Sequence, residues 1–231
     1  MDIRILQLIE GARNAVGITV IIDVFRAFSV EAYLFEMGAD AIIPIGDAQK
    51  AYSLKRTDPN LILAGERGGK IMPGFDTGNS PSQLCTLDVS GKTVIHTTSA
   101  GTQGIANAIH AEEILGCGLV NAKATAEYIR RKGAEQVSLV CMGLAALTPT
   151  EEDTLCARYI KSILEKTTID LNAEITSLKY TSGAKFFDKT KNDVFPQKDF
   201  DMCTDVDRFS FVMKLERGED GLDRMKKIML S

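Results

Sequence analysis

The chain has 231 residues, a formal net charge of -4 at pH 7, 45% hydrophobic and 25% charged residues, and only 6% aromatic side chains. This length and balance fit a globular chain with a sizeable core and exclude a disordered one. Positive charge is dispersed over an acidic chain poor in aromatics, which argues against a nucleic-acid groove; an anion would need a local cluster of arginines and amides.

Along the chain, MDIRILQLIEG is broken by Asp2 and Arg4, so it does not read as a signal peptide, and no apolar stretch approaches the ~20 residues of a membrane span. GITVIIDVF (17–25) is a continuous apolar run ending on a carboxylate, the pattern of a strand buried on both faces. SVEAYLFEMG (29–38) has helical spacing and stops at Gly38. AIIPIG (41–46) and LILAG (61–65) read as strands, with DAQKAYSLKR between them as a helix capped by Asp47. TVIHTTS (93–99) is a further strand, and residues 101–115 are expected to be a helix. Residues 121–133 make another helix stopped by Gly133, VSLVCMG (137–143) a buried strand, and residues 151–166 an amphipathic helix. The polar, aspartate-rich residues 181–210 are expected to wrap the surface before a last strand, FSFVMKLE, and a C-terminal helix over residues 222–230.

Strands alternating with helices imply an α/β fold of three α/β/α layers with a mostly parallel sheet. GITVIIDVFRAFS and QVSLVCMGLAALT echo each other, each a buried strand, a turn of small residues and a helix start. That echo suggests two similar lobes facing each other, residues 1–119 and 120–231.

In α/β sheets ligands bind beyond the carboxyl ends of strands. Four polar clusters take that position: Asp23 to Ser29, Glu66-Arg67-Gly68-Gly69, His96-Thr97-Thr98-Ser99-Ala100-Gly101-Thr102, and Glu151-Glu152-Asp153. Their chemistry suits a phosphate ester. Arg26 and Arg67 offer planar forks that match phosphate oxygens, and glycine pairs and Thr-Ser turns let backbone N–H groups approach an anion. Asp23, Glu66 and Asp153 are the expected oxygen donors for Mg²⁺, which bridges carboxylates and phosphate.

Plainer roles exist for most of these residues. Asp153 suits the first turn of a helix, Arg26 and Arg67 suit surface ion pairs, and residues 97–102 suit a capped strand–helix turn. His96 reads as a strand residue, and Cys156 as a small buried apolar group. Asp23 resists such a reading, because a carboxylate ending an apolar run is costly to bury without a cation or donors. GERGGK lacks the spacing of a P-loop, no G-x-G-x-x-G follows the first strand, and neither G-x-S-x-G nor H-E-x-x-H is present. The five cysteines (Cys85, Cys117, Cys141, Cys156, Cys203) are odd in number with no C-x-x-C pair, so neither a disulfide framework nor a structural zinc site is expected, and the expected compartment is the reducing cytoplasm.

DVFRAFS, LAGERGGKIMPGFDTGNSP, HTTSAGTQGI and EEDTLCARYI, in that order over residues 18 to about 165, resemble the motifs of the 2-phosphosulfolactate phosphatase family. A weaker similarity extends to FPQKDF…C…DRFSFV. The resemblance implies a Mg²⁺-dependent phosphatase of two related α/β lobes, acting on (R)-2-phospho-3-sulfolactate in coenzyme M synthesis. Asp23, Arg26, Glu66, Arg67, Asn79, Ser80, Thr98, Gly101, Thr102, Glu152 and Asp153 match motif positions. Phe25 and Phe28, the HTTSAGT turn and Ala157-Arg158 depart from the pattern, which leaves the exact substrate more open than the reaction class.

The expected arrangement is thus Asp23, Glu66 and Asp153 on one Mg²⁺, with Arg26, Arg67 and the amides of Gly68, Gly69 and residues 97–102, Ser99 included, around the transferring oxygens. Asn79, Ser80 and Lys70 are candidates for a second anionic group. The nucleophile is open between a metal-activated water and the Asp23 carboxylate. Two rival classes stand beside this one: a non-catalytic binding protein for a small anionic metabolite, and a hydrolase or lyase using Cys156 or Cys141. A small anionic phosphate ester is the expected partner, nucleic acid and membrane are not, and the oligomeric state is left open, with a homodimer among the expectations.

Overall fold

GITVII forms β2 (Gly17–Ile22), and every residue of it is buried. In the computed structural model, which describes residues 1–230, β2 runs parallel to both its neighbours, β7 (Ala111–Cys117) and β8 (Gln136–Cys141). Its side chains alternate between two cores. Ile21 packs with Val30 and Leu34 of α2 (Ala27–Glu36) and Ile105 of α4 (Gly101–Asn107). Ile18, Val20 and Ile22 pack with Ala122 and Ile129 of α5 (Ala122–Lys132) and Ala157 and Ile160 of α6 (Glu151–Glu165). A strand covered by helices on both faces has no solvent side, which is why the run is apolar but for Thr19.

Ten strands join in one mixed sheet in the order β1-β8-β2-β7-β9-β10-β3-β6-β4-β5. β1 (Asp2–Gln7), β8, β2 and β7 form one parallel block; β3 (Ala41–Pro44), β6 (Thr93–Thr97) and β4 (Ile62–Arg67) form another. The antiparallel hairpin of β9 (Phe211–Glu216) and β10 (Arg224–Met229) bridges them, and β5 (Lys70–Ile71) closes the far edge. The α/β/α layering and largely parallel sheet agree with the sequence reading. The sheet runs on across residues 119 and 120: β8, from the later part of the chain, lies between β1 and β2.

Two local expectations are overturned. The helix expected over 101–115 ends at Asn107, and AEEILGC is strand β7. The helix expected over 222–230 is strand β10, in which Met225 is fully buried between Leu215 and Ile42. In both segments charged, helix-tolerant residues are held extended by ladders to strands distant in sequence, where tertiary pairing overrides local propensity. The polar 181–210 stretch carries 3-10 turns at Ala184–Phe187 and Lys189–Lys191 and a helix at Gln197–Cys203, here α8, before strand β9. A helix at Leu171–Leu178 (α7), α3 (Ala48–Thr57) and α1 (Leu8–Arg13) complete the helices.

Gly116 of β7 faces the Phe28 ring. A Cβ there would sit 2.6 Å from two ring carbons and 2.8 Å from Met225 Cε. Gly116→Val should therefore destabilise the chain by about 1–3 kcal/mol through overpacking. The reading is a lower urea midpoint at unchanged slope, and an unchanged midpoint would contradict this packing.

Candidate active site

The carboxyl ends of β2, β4, β6 and β8 open onto one cavity of ≈ 250 Å³. Asp23, Arg26, Glu66, Gly68, Gly69, Asn79, Thr98 and Ser99 line it, as the motif reading expected of one rim. The Gly68-Gly69 turn explains its own composition. Both residues have positive φ (61° and 81°) in a two-residue hairpin turn, and a Cβ on Gly69 would lie 2.5 Å from the Phe195 ring.

The rim is held by carboxylates that accept backbone N–H groups. Asp23 accepts from Ala27 N (3.2 Å) and Gly101 N (3.0 Å). Glu66 accepts from Ser99 N (2.9 Å), the Ser99 hydroxyl (2.7 Å) and Gly69 N (2.7 Å). Thr102 N donates to Thr98 Oγ1 at 3.2 Å. The amides of Gly69, Ser99, Gly101 and Thr102 are therefore committed inside the protein rather than turned toward an anion.

Asp153 departs from its expected place. Its two oxygens accept Val24 N and Gly143 N, both at 2.8 Å, and it ties the β2 and β8 loops together from outside the cavity lining. The preceding residue, Glu152, lines the cavity instead. Its Oε2 is buried without a hydrogen-bond partner.

Of the two arginines only Arg26 reaches the cavity. It is buried and donates to Asp199 Oδ2 (2.6 Å), Val194 O (2.8 Å) and, more weakly, Gly69 O (3.3 Å), while its guanidinium lies 4.9 Å from the Phe195 ring centre. Asp199, fully buried, accepts from Ser80 Oγ and Ser82 N with its other oxygen. Ser80 thus acts on Arg26 through Asp199. Arg67 is exposed and donates to the Glu66 and Gly46 carbonyls. Lys70 is exposed on β5, and Thr97, Gly101 and Thr102 lie behind the lining. Lys185, which sequence reasoning missed, lines the cavity with its ammonium 5.4–5.7 Å from the rings of Phe25, Phe186 and Phe195. The FPQKDF similarity was the available signal for Phe195 and Asp199; nothing in the sequence marked Lys185.

Burial pushes the Asp23 carboxyl up to about 6, with repulsion from Glu66 and Glu152 adding to it against the Ala27 and Gly101 N–H bonds. Burial likewise raises Glu152 and, with repulsion from Glu152 and Asp23, Asp153. Among the described residues no three His, Cys, Asp or Glu side chains already converge as a metal cage. Cys156 and Cys141 are fully buried outside the lining, and burial pushes both thiols up, so neither is placed to act as a nucleophile.

An α/β sheet whose strand ends gather carboxylates and a buried arginine around one small cavity, closed by a lysine from a later segment, defines a protein built to handle a small charged ligand. The profile of the family described as 2-phosphosulpholactate phosphatase matches residues 3–218. A Bacillus subtilis (strain 168) protein named probable 2-phosphosulfolactate phosphatase is 33% identical over 94% of this chain and 95% of its own length. Similar proteins of the same name occur in Caldanaerobacter subterraneus subsp. tengcongensis (33% identical, covering 86% and 88%) and Thermotoga petrophila (31%, covering 86% and 89%). The chain belongs to the 2-phosphosulfolactate phosphatase family, a family of phosphoric monoester hydrolases. No helix among the described residues is long and apolar enough to cross a membrane.

Two outcomes follow from this geometry. Asp199→Asn leaves the buried Arg26 without its counter-charge and should cost about 3–5 kcal/mol of stability by denaturant unfolding, together with loss of activity. For Asp23 the folded-state value lies above the unfolded one of 3.8. Its stabilising contribution is therefore fully present below that unfolded value and lost as pH rises through about 6. In EDTA, wild-type stability measured relative to Asp23→Asn should fall by on the order of 2–3 kcal/mol across that window. A flat difference would contradict the burial of this carboxyl.

Proposed function

We propose that the protein hydrolyses 2-phosphosulfolactate to sulfolactate and phosphate with Mg²⁺ as cofactor, the step of coenzyme M synthesis that the motif resemblance implies. The observation that carries this reading is the lining of one cavity by three carboxylates, Asp23, Glu66 and Glu152, together with the cations Arg26 and Lys185. Arg26 is already matched by Asp199. An anionic ester would therefore meet excess negative charge unless a divalent cation entered with it. The partnerless Glu152 Oε2 and the raised Asp23 carboxyl both fit such an ion.

Asp23, Glu66 and Glu152 would hold Mg²⁺, which when bound neutralises phosphoryl charge. Arg26, its guanidinium fixed by Asp199 and Val194 O, presents its remaining N–H groups to phosphoryl oxygens. Thr98, whose Oγ1 accepts from Thr102 N, keeps its own hydroxyl hydrogen for the substrate. Water is the better nucleophile. Attack by Asp23 would weaken its bonds from Ala27 and Gly101, whereas the intact carboxylate can take a proton from water. Lys185 takes the role offered to Lys70: it meets the second anionic group of the substrate. The free cysteines Cys117, Cys141, Cys156 and Cys203 suit a cytoplasmic enzyme.

Release of phosphate from 2-phosphosulfolactate should require Mg²⁺ and stop with EDTA; binding of the ester without release would favour a non-catalytic binding protein. Lys185→Ala should raise KM for 2-phosphosulfolactate about tenfold or more while leaving p-nitrophenyl phosphate turnover within about twofold. Equal losses on both esters would remove Lys185 from second-anion recognition.

A further inference from the structure

We infer that Glu31 and His96, buried behind the cavity wall, set which end of the Asn79 amide faces the substrate. The proposal rests on the reading that an anionic ester occupies this cavity. Asn79 lines the cavity. Its Oδ1 lies 3.1 Å from His96 Nε2, and His96 Nδ1 lies 2.9 Å from Glu31 Oε1. His96 is 0% and Glu31 1% exposed, and neither lines the cavity.

Both partners of the ring are oxygens, and a carboxylate or an amide oxygen can only accept. Each ring nitrogen therefore presents a hydrogen: Nδ1–H donates to Glu31 and Nε2–H donates to Asn79. The Glu31 carboxylate balances the resulting charge within the protein. Its second oxygen, Oε2, is buried with no hydrogen-bond partner, so no other donor shares that charge. With Oδ1 held by His96, the NH₂ end of Asn79 is left for the cavity, where it supplies donors to substrate oxygens. A ring bare at Nε2 would instead accept from the NH₂ group and turn Oδ1, an acceptor that repels anions, toward the ligand.

Glu31 and His96 are thus positioning residues. The relay joins three distant parts of the chain: α2 carries Glu31, β6 carries His96, and the segment after β5 carries Asn79. It makes the donor pattern of the cavity depend on a charge pair that the substrate never touches.

With only two histidines in the chain, His96 and His110, the ring can be observed directly. Histidine-selective ¹⁵N NMR of the wild-type protein should show two N–H correlations from the His96 ring; a single one overturns the proposal. Glu31→Gln should raise KM for 2-phosphosulfolactate about tenfold with kcat within about twofold, the loss of one hydrogen bond to a charged group. In an Asn79→Ala background the same change should add nothing. An equal KM penalty in both backgrounds would show a merely structural effect and overturn it. Should Glu31→Gln fail to fold, Asn79→Asp provides the second test. It keeps an acceptor for Nε2–H but replaces the NH₂ end by an oxygen, and an unchanged KM for it would overturn the proposal. If the wild type released no phosphate from any ester, the functional reading would fall. The orientation of Asn79 would still be judged by the NMR result and by the shift of its NH₂ signals on addition of inorganic phosphate, expected in wild type and absent in Glu31→Gln.

Discussion

The structure depends on buried carboxylates gripping backbone N–H groups across loops. Asp23 joins the loop after β2 to the start of α4, Glu66 joins the Gly68-Gly69 turn to Ser99, and Asp153 joins Val24 to Gly143. Charge-assisted bonds of this kind are short and directional, so they fix loops that the sheet alone would leave free. They also commit amides that could otherwise have cradled an anion. The cavity is consequently a place where negative charge has been gathered and only partly balanced. Glutamate and aspartate at adjacent positions of α6 divide this labour: Asp153 points inward to the loops, and Glu152 faces the ligand space.

What the sequence made legible follows the range of the interactions involved. β2 and β8 were readable because burial on both faces leaves a mostly apolar run, and the Gly68-Gly69 pair was readable because positive φ demands it. β7 and β10 were not, since their extended form comes from ladders to residues far along the chain, and AEEILGC and RMKKIM suit a helix as well locally. The site shows the same division. Asp23 announced itself by ending an apolar run. The exchange of Glu152 for Asp153 turned on which side of a helix faces inward, a matter of about 100° that neighbouring acids do not reveal. Asp199 could be assigned to Arg26 only across 173 positions of sequence.

The departures from the family pattern fall unequally on the site. Phe28 is buried and its bulk is met by Gly116, which has no Cβ to oppose it. Ala157 is buried under β2, and Arg158 pairs with Glu174 on the surface at 2.9 Å. The HTTSAGT turn lines the cavity through Thr98, Ser99 and Ala100, and Phe25 enters it edge-on to Phe186 and beside Lys185. The change of size at Phe25 therefore acts on the aromatic wall beside Lys185.

That wall has a single origin. Val194 O and Asp199 fix Arg26, Phe195 lies against both Arg26 and Lys185, and Lys185 borders the cavity directly; all come from the polar stretch after α7. Asp23, Arg26 and Glu66 sit at or just beyond strand ends, positions that a sheet holds rigidly. The wrapped segment adds Lys185 and the Phe195 ring to the cavity lining, and holds them without a strand ladder. A change at Lys185 or Phe195 therefore acts on this wall without touching Asp23, Glu66 or Glu152, whereas a change at Asp199 reaches Arg26 just beyond the end of β2. The stretch that reads as polar surface thus closes one side of the cavity, presenting Lys185 and Phe195 to it while its Asp199 holds Arg26 from behind.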